Sequence, residues 1–314
     1  MTAYIARRLV LVAPVMFIVA TVGFVIIHLA PGDPAVMMLG PDASPERLQE
    51  LRQQLGLDRP LLVQLGRWYA RVLYADFGRS LFEGEPVTRV IAQRLEPTVL
   101  LTLLGLGVAT LIGLPTGILA ALWPRSATDR VLMGTALLGV SMPGFWLGLN
   151  LILFFSLHLG LLPVSGYVPL RESGSEALRS LVLPALTLGI GGSGLIARMT
   201  RAQMLEILVQ DFVRTARAKG LGEWRVIMRH VLRNALVLIV TVVGLSVGTL
   251  LAGAITVETV FAVPGVGLLV ISSVLRRDFP VIQGVLLFTA AVYVLVNLLV
   301  DLIYLYLDPR IKYV

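Results

Sequence analysis

The chain has 314 residues, 57% of them apolar and only 14% charged, against roughly 45–50% and about 25% in soluble domains. It has no cysteine, which excludes disulfides, thiolate metal sites, iron–sulfur clusters and cysteine nucleophiles. A net charge of +7 would suit a nucleic-acid partner, but the placement of the charges points elsewhere.

Six stretches are nearly charge-free: 9–30, 97–122, 131–162, 180–197, 234–257 and 281–306. Of the chain's 45 Asp, Glu, Lys and Arg residues, only Asp301 lies inside them. Each stretch meets the roughly 17–25 residues that a helix needs to cross a ~30 Å hydrocarbon core. In lipid a single segment pairs all its backbone polar groups only as a helix. The predicted fold class is an all-α polytopic membrane protein with six transmembrane helices. No nucleic acid is expected as a partner.

The first stretch follows Arg7 and Arg8 and is too long for a signal-peptide core of about 7–15 residues. Pro31-Gly32-Asp33-Pro34 follows it in place of a cleavage site, so it reads as a retained anchor. Residues 1–96 therefore comprise a transmembrane helix and an outer helical segment. Within that segment Ser44 can cap a helix that starts at Pro45, shows Leu48, Leu51 and Leu55 on one face, and ends at Gly56. A second amphipathic run begins at Pro60, with Leu61, Leu65, Trp68, Tyr69 and Val72 on one face. These helices either pack as a lid on their own chain or lie along the membrane surface.

Residues 97–314 form a five-helix core. Pro184 and the glycines at 189, 191, 192 and 194 predict an interrupted fourth span, a feature of transport pathways. The alternative reading is that small residues let helices pack closely, as at Gly113/Gly117, Gly144/Gly148 and Gly244/Gly248. Thr187, Ser193, Thr241, Ser246 and Thr249 are candidate pathway residues on the fourth and fifth spans.

The loop 198–233 carries eight basic residues. Met199, Met204, Leu208 and Phe212 recur at near-helical spacing, and the run stops at Lys219-Gly220. A second helix, Glu223 to Leu232, has Val226, Ile227 and Val231 on its apolar face. Ala216 and Gly220 leave room for another surface to approach, so the pair either presents itself to a partner or rests on anionic lipid. Asp301, in the last stretch, is either an intramembrane functional group such as a proton relay or, being near the inner end within reach of a basic partner such as Arg7 or Arg8, half of a structural pair, which is the favoured reading.

With the N-terminus inside, the inner segments hold 14 basic residues and the short outer loops four. This satisfies the positive-inside rule and places both termini in the cytoplasm.

Much chemistry is missing. Neither lysine, Lys219 or Lys312, completes a P-loop, so no ATP is bound that way. His28, His158 and His230 show no ligand spacing, and no metal site is expected. Gly191-Gly192-Ser193-Gly194 imitates the nucleophile motif of an intramembrane serine protease, but the sixth span has no histidine to act as base. A stand-alone channel is the remaining reading of a different class.

The segment DFVRTARAKGLGEWRVIMRHVLRNAL resembles the EAA loop of permease subunits of binding-protein-dependent ABC importers. ARRLVLVAPV, HLAPGDPA, SMPGFWLG, LGLLPVSGY, LPALTLG, ETVFAVPGVG, RDFPVIQG and LLVDLIYLYLDPRIKY extend the likeness to the dipeptide/oligopeptide/nickel branch. Leu238 departs from it, standing where the family usually has proline. The resemblance implies a type I ABC importer permease (MetI-like) fold in a bacterial or archaeal plasma membrane. It also implies a second homologous permease, two ABC ATPase subunits and a periplasmic or lipid-anchored solute-binding protein. Peptides would be the cargo, with nickel chelates, glutathione or opines as alternatives. This chain would hold no cofactor, ATP and Mg belonging to the partner ATPases. Asp211, Thr215, Ala216, Lys219 and Gly220 would form the loop that couples it to them.

Overall fold

The structure is a computed structural model that describes residues 2–29, 35–36 and 43–307. Eleven helical elements follow in order: α1 (Thr2–Leu29), α2 (Pro45–Leu55), α3 (Leu61–Leu73), α4 (Val87–Leu122), α5 (Ala127–Ser141), α6 (Gly144–His158), α7 (Gly174–Leu208), α8 (Asp211–Ala218), α9 (Glu223–Val260), α10 (Val266–Arg276) and α11 (Phe279–Leu307). Part of α6, Ile152–His158, and part of α9, Val226–Leu232, are wound as π-helix. The helices form two compact units. One joins the chain up to Gln93 with Val270–Val294; the other joins Arg94–Leu269 with the chain from Leu295 onward.

In the first unit the Ser44 hydroxyl caps α2, and Gly56 ends it in the left-handed conformation at φ 71°. The side chains of Leu51 and Leu55, like the Pro31–Pro34 turn and the pairing of Asp301 with Arg7 or Arg8, lie outside the described residues. Helix α3 packs along α1: the Trp68 indole donates to the Ala20 carbonyl at 3.0 Å, and Tyr69 stacks on Phe17. Leu65, Tyr69 and Val72 join Trp68, Ala20, Phe24 and Leu287 in one apolar cluster, while Leu61 stays exposed. Four of the five residues on the predicted face thus pack on their own chain. Asp278 is buried and accepts from the Ser80 hydroxyl at 2.6 Å and the Leu81 amide at 3.2 Å. This fixes the 80–82 turn to the start of α11.

The second unit is organised around α7, whose apolar window is 61% buried, against 22% for α9. The fourth stretch is therefore not interrupted: Pro184 lies inside a continuous 35-residue helix. The break falls instead in the third stretch, where α5 and α6 meet at 101°. Pro143 disfavours helical geometry at the residue before it, and Met142 is extended at φ −74°, ψ 129°. Helix α9 runs without a break past Leu238, where the family's proline is absent.

Glycines set the packing distances. A Cβ on Gly113 would fall 2.6 Å from the Ser193 carbonyl oxygen, and one on Gly117 2.5 Å from that of Ala197. Gly189 meets Val108 and the Gly105 carbonyl, Gly194 meets the Ala136 carbonyl, and Gly244 meets Val300. The small residues thus admit neighbouring backbones, as in other helix interfaces within lipid.

Among the described residues four helices are long and apolar enough to cross a membrane, and the bent α5–α6 pair qualifies together as a fifth crossing. Helix α1 occupies the first predicted stretch, with an apolar run at Val12–Ile26. Among the described residues no strand forms beyond an isolated bridge between Arg79 and Pro86.

The α4–α7 seam yields a direct test. Gly117→Val should destabilise the protein by about 1–3 kcal/mol through overpacking, whereas Gly191→Ala, which meets open space, should be neutral. Thermal unfolding of the detergent-solubilised variants checks both outcomes.

Candidate functional site

The loop after α7 is built on an apolar anchor. Met204 and Ile207 at the end of α7, Val213 and Ala216 on α8, and Val226, Ile227, Val231 and Leu232 at the start of α9 are buried together with Ala121. The chain breaks at Val209-Gln210, where Gln210 takes extended geometry (ψ 149°) ahead of α8. Met204 is buried on α7, and the break puts Phe212 on a new helix where it is 43% exposed; Met199, five residues before Met204 on α7, turns off that face and is 40% exposed. One predicted apolar stripe therefore divides between two helices. The predicted face of the second helix, Val226, Ile227 and Val231, is fully inside.

The five candidate loop residues divide in the same way. Asp211, Thr215, Lys219 and Gly220 are exposed, and Ala216 is buried at 5%. Ala216 is small because α8 must sit close to its own chain, not because another surface reaches it. The Thr215 hydroxyl donates to the Asp211 carbonyl at 2.9 Å. Gly220, at φ +76°, ends the turn in the region glycine enters at least cost. Arg217 bridges the turn to Glu223 with two hydrogen bonds of 3.1 and 2.6 Å, and that carboxylate raises the guanidinium's pKa further. Phe212, Val209 and Trp224 leave apolar surface beside these polar groups.

A second tie holds this end of α7. Arg201 grips Asp129, at the start of α5, through two 2.7 Å hydrogen bonds, and Asp129 also accepts from the Arg125 amide at 2.8 Å. Asp129 is buried at 4% exposure. Such bidentate charged pairs are strong and directional.

The candidate pathway residues hold no common site. Thr187, Ser193 and Ser246 are buried, each donating to a carbonyl of its own helix at 2.7–2.8 Å. Thr241 is half-buried and Thr249 exposed, and both also bond within α9. Ser193 donates to Ile190 and has no histidine partner. Among the described residues no group of three or more His, Asp or Glu could hold a metal ion.

The sequence reading missed a buried carboxylate. The fifth charge-free stretch stops at residue 257, which leaves Glu258 outside the spans and Asp301 as the sole carboxylate within one. Helix α9 continues to Val260 and encloses Glu258 at 0% exposure. The Thr98 hydroxyl on α4 donates to it at 2.6 Å and the Leu268 amide at 3.0 Å, with the Gly267 amide also bonded. The Val266 amide in turn donates to Thr98 Oγ1 at 2.8 Å. Gly265 and Gly267 make room, since a Cβ on either would strike the carboxylate. The turn before them holds Ala262 at φ +49°. Nearby, Glu96 accepts from the Tyr167 phenol at 2.5 Å and the Leu170 amide at 2.8 Å. Burial, and then the Glu96 carboxylate, push that phenol's pKa up. The signal in the sequence was the ETVFAVPGVG string itself: an acid followed by two glycines at a span end.

Comparison with known proteins follows the same outline. Residues 113–313 match the family described as "Binding-protein-dependent transport system inner membrane component", and residues 1–102 match the N-terminal component of the same transport systems. The chain is 44% identical over 313 residues to a Brucella abortus protein named as a peptide transport system permease, covering all of both chains. It is 42% identical over 313 residues to the glutathione transport system permease protein of Salmonella typhi, again over the full length of each. Among solved structures it is similar to a chain of the MetNI methionine ABC transporter in an inward facing conformation. That likeness has a TM-score of 0.59 and 21% identity, covering 71% of this chain and 99% of the other.

Two sets of substitutions probe the site's framework. Thr98→Val should cost about 1–3 kcal/mol, because Glu258 and the Val266 amide each lose a buried partner. Asp129→Ala and Arg201→Ala should show a coupling energy of about 0.5–3 kcal/mol in a double-mutant cycle. Unfolding midpoints of the purified variants give both numbers.

Proposed function

Because the chain belongs to the family of inner-membrane components of binding-protein-dependent transport systems, and is thus a permease of an ABC importer, we propose that it moves short peptides inward in a complex whose ATP is hydrolysed elsewhere. The observation that carries this reading is α8: Val213 and Ala216 fasten one side of it to the permease core, while Asp211, Thr215, Lys219 and Gly220 are exposed. A helix held rigidly on one face and free on the other is suited to transmit movement from a docked partner.

That partner would be one of two ATPase subunits, which would bind the ATP and Mg, since this chain has no P-loop. A second, related permease would complete the translocation unit, and a solute-binding protein would deliver cargo to the outer side. Both termini and the 198–233 loop would lie in the cytoplasm, as the excess of basic residues there favours. Movement of α8 would enter α7 and α9 through their shared apolar anchor, with the Asp129–Arg201 pair carrying it to α5. The peptide class is favoured over nickel chelates or opines because the similar proteins above are named for peptides and for glutathione, itself a tripeptide.

Two experiments test the reading. Gly220→Asp forces a side chain and a charge into the left-handed turn. It should leave membrane insertion intact while abolishing ATPase co-purification or uncoupling hydrolysis from peptide uptake; unaltered uptake would refute the coupling role. The cysteine-free chain also permits a single Lys219→Cys label. It should react with a membrane-impermeant thiol reagent in inside-out vesicles and not in intact cells.

A further inference from the structure

Helix α9 begins with a feature outside the five coupling residues named above. Arg225, Arg229 and Arg233 recur every four residues and are all exposed. Residues four apart on a helix are neighbours on one face, and Val226–Leu232 between them is wound as π-helix. The three guanidinium groups therefore form one stripe. The acid nearest in sequence, Glu223, is already taken by Arg217, and among the described residues none of the three arginines forms an ion pair. Beside it Trp224 is 72% exposed and Met228 39%, while the opposite face, Val226, Ile227 and Val231, is buried in the protein. The same helix continues without a break into an apolar stretch that starts at Ala235. At 1.5 Å per residue Arg233 and Arg225 then lie within about 3 and 15 Å of the hydrocarbon edge along the helix.

We propose that this stripe is a binding site for anionic phospholipid headgroups of the inner leaflet. The proposal rests on the reading that α9 spans the membrane with Arg225 on the cytoplasmic side. Each element suits that surface. Arginine forks match phosphate oxygens bidentately, tryptophan settles at the headgroup level, and juxtamembrane basic clusters are drawn to the negatively charged cytoplasmic leaflet. The lipid also supplies a counter-charge to the three guanidinium groups. Bound there, it steadies the base of α9 at the point where α8 is anchored.

The test uses the complex extracted from its native membrane and exchanged into nanodiscs of phosphatidylcholine with a minority of phosphatidylglycerol. Native mass spectrometry reads the lipid retained by this chain after mild release. Arg225→Gln, Arg229→Gln and Arg233→Gln combined should lower phosphatidylglycerol retention about a hundredfold relative to phosphatidylcholine, from the typical contribution of each basic residue at an anionic surface. The triple Lys variant should keep most of it. Headgroup-quenched fluorescence of Trp224, taken as the difference from Trp224→Phe, should rise with phosphatidylglycerol and not with inorganic phosphate. Unchanged retention in the triple Gln variant overturns the proposal. So does loss of ATPase co-purification with lipid retention intact, which would give the stripe to the ATPase. Because retention is read on this chain, failure to recover ATPases would count against the importer assembly and not against the lipid site.

Discussion

A carboxylate buried at the end of an apolar helix dictates much of what surrounds it. Stripped of water, Glu258 has to be met by donors from the protein, because an uncompensated polar group in a dry interior costs several kcal/mol. Those donors come from two directions: the Thr98 hydroxyl on α4, and backbone amides at the start of α10. Meeting both requires α4 to stand beside α9 at this height and the chain after Val260 to turn back at once. The turn then needs Gly265 and Gly267, since any side chain there would occupy the carboxylate's place. One acid thus sets a helix neighbour, a reversal and two residue types.

The opposite end of α7 is held by different physics. There the loop is fastened by apolar burial around Met204, Val213 and Val226, and by the Asp129–Arg201 pair at its margin. Apolar contacts tolerate small rotations, whereas a bidentate ion pair keeps direction. The combination joins α8 to α7 and α9 through shape and α7 to α5 through direction.

Legibility in the sequence tracked the range of the forces involved. Spans were legible because the cost of charge in lipid acts on every residue of a stretch. The cap at Ser44, the stop at Gly56 and the buried face of α9 were legible because they depend on neighbours three or four residues away. Pro184 was misread and the corner at Pro143 went unmarked because a proline's effect depends on its setting: one lies within a helix packed on several sides, the other between two helices. The phase break at Gln210 left no compositional mark, so Phe212 was grouped with Met204. Glu258 was misplaced because an acid near a span end looks like a loop residue until its donors, 160 and 10 positions away, are known.

The glycine seam along α4 and α7 has a different kind of consequence. At Gly113, Gly117, Gly189 and Gly194 a neighbouring helix comes so close, with backbone and side-chain atoms alike, that even a methyl group would collide. Sequence drift therefore has almost no freedom along that line. On the exposed faces of the same helices, at positions such as Leu103, Leu111 and Leu119, any apolar residue serves equally well. Descendants of this chain will diverge in stripes, one edge of each helix frozen while the other wanders among hydrocarbons.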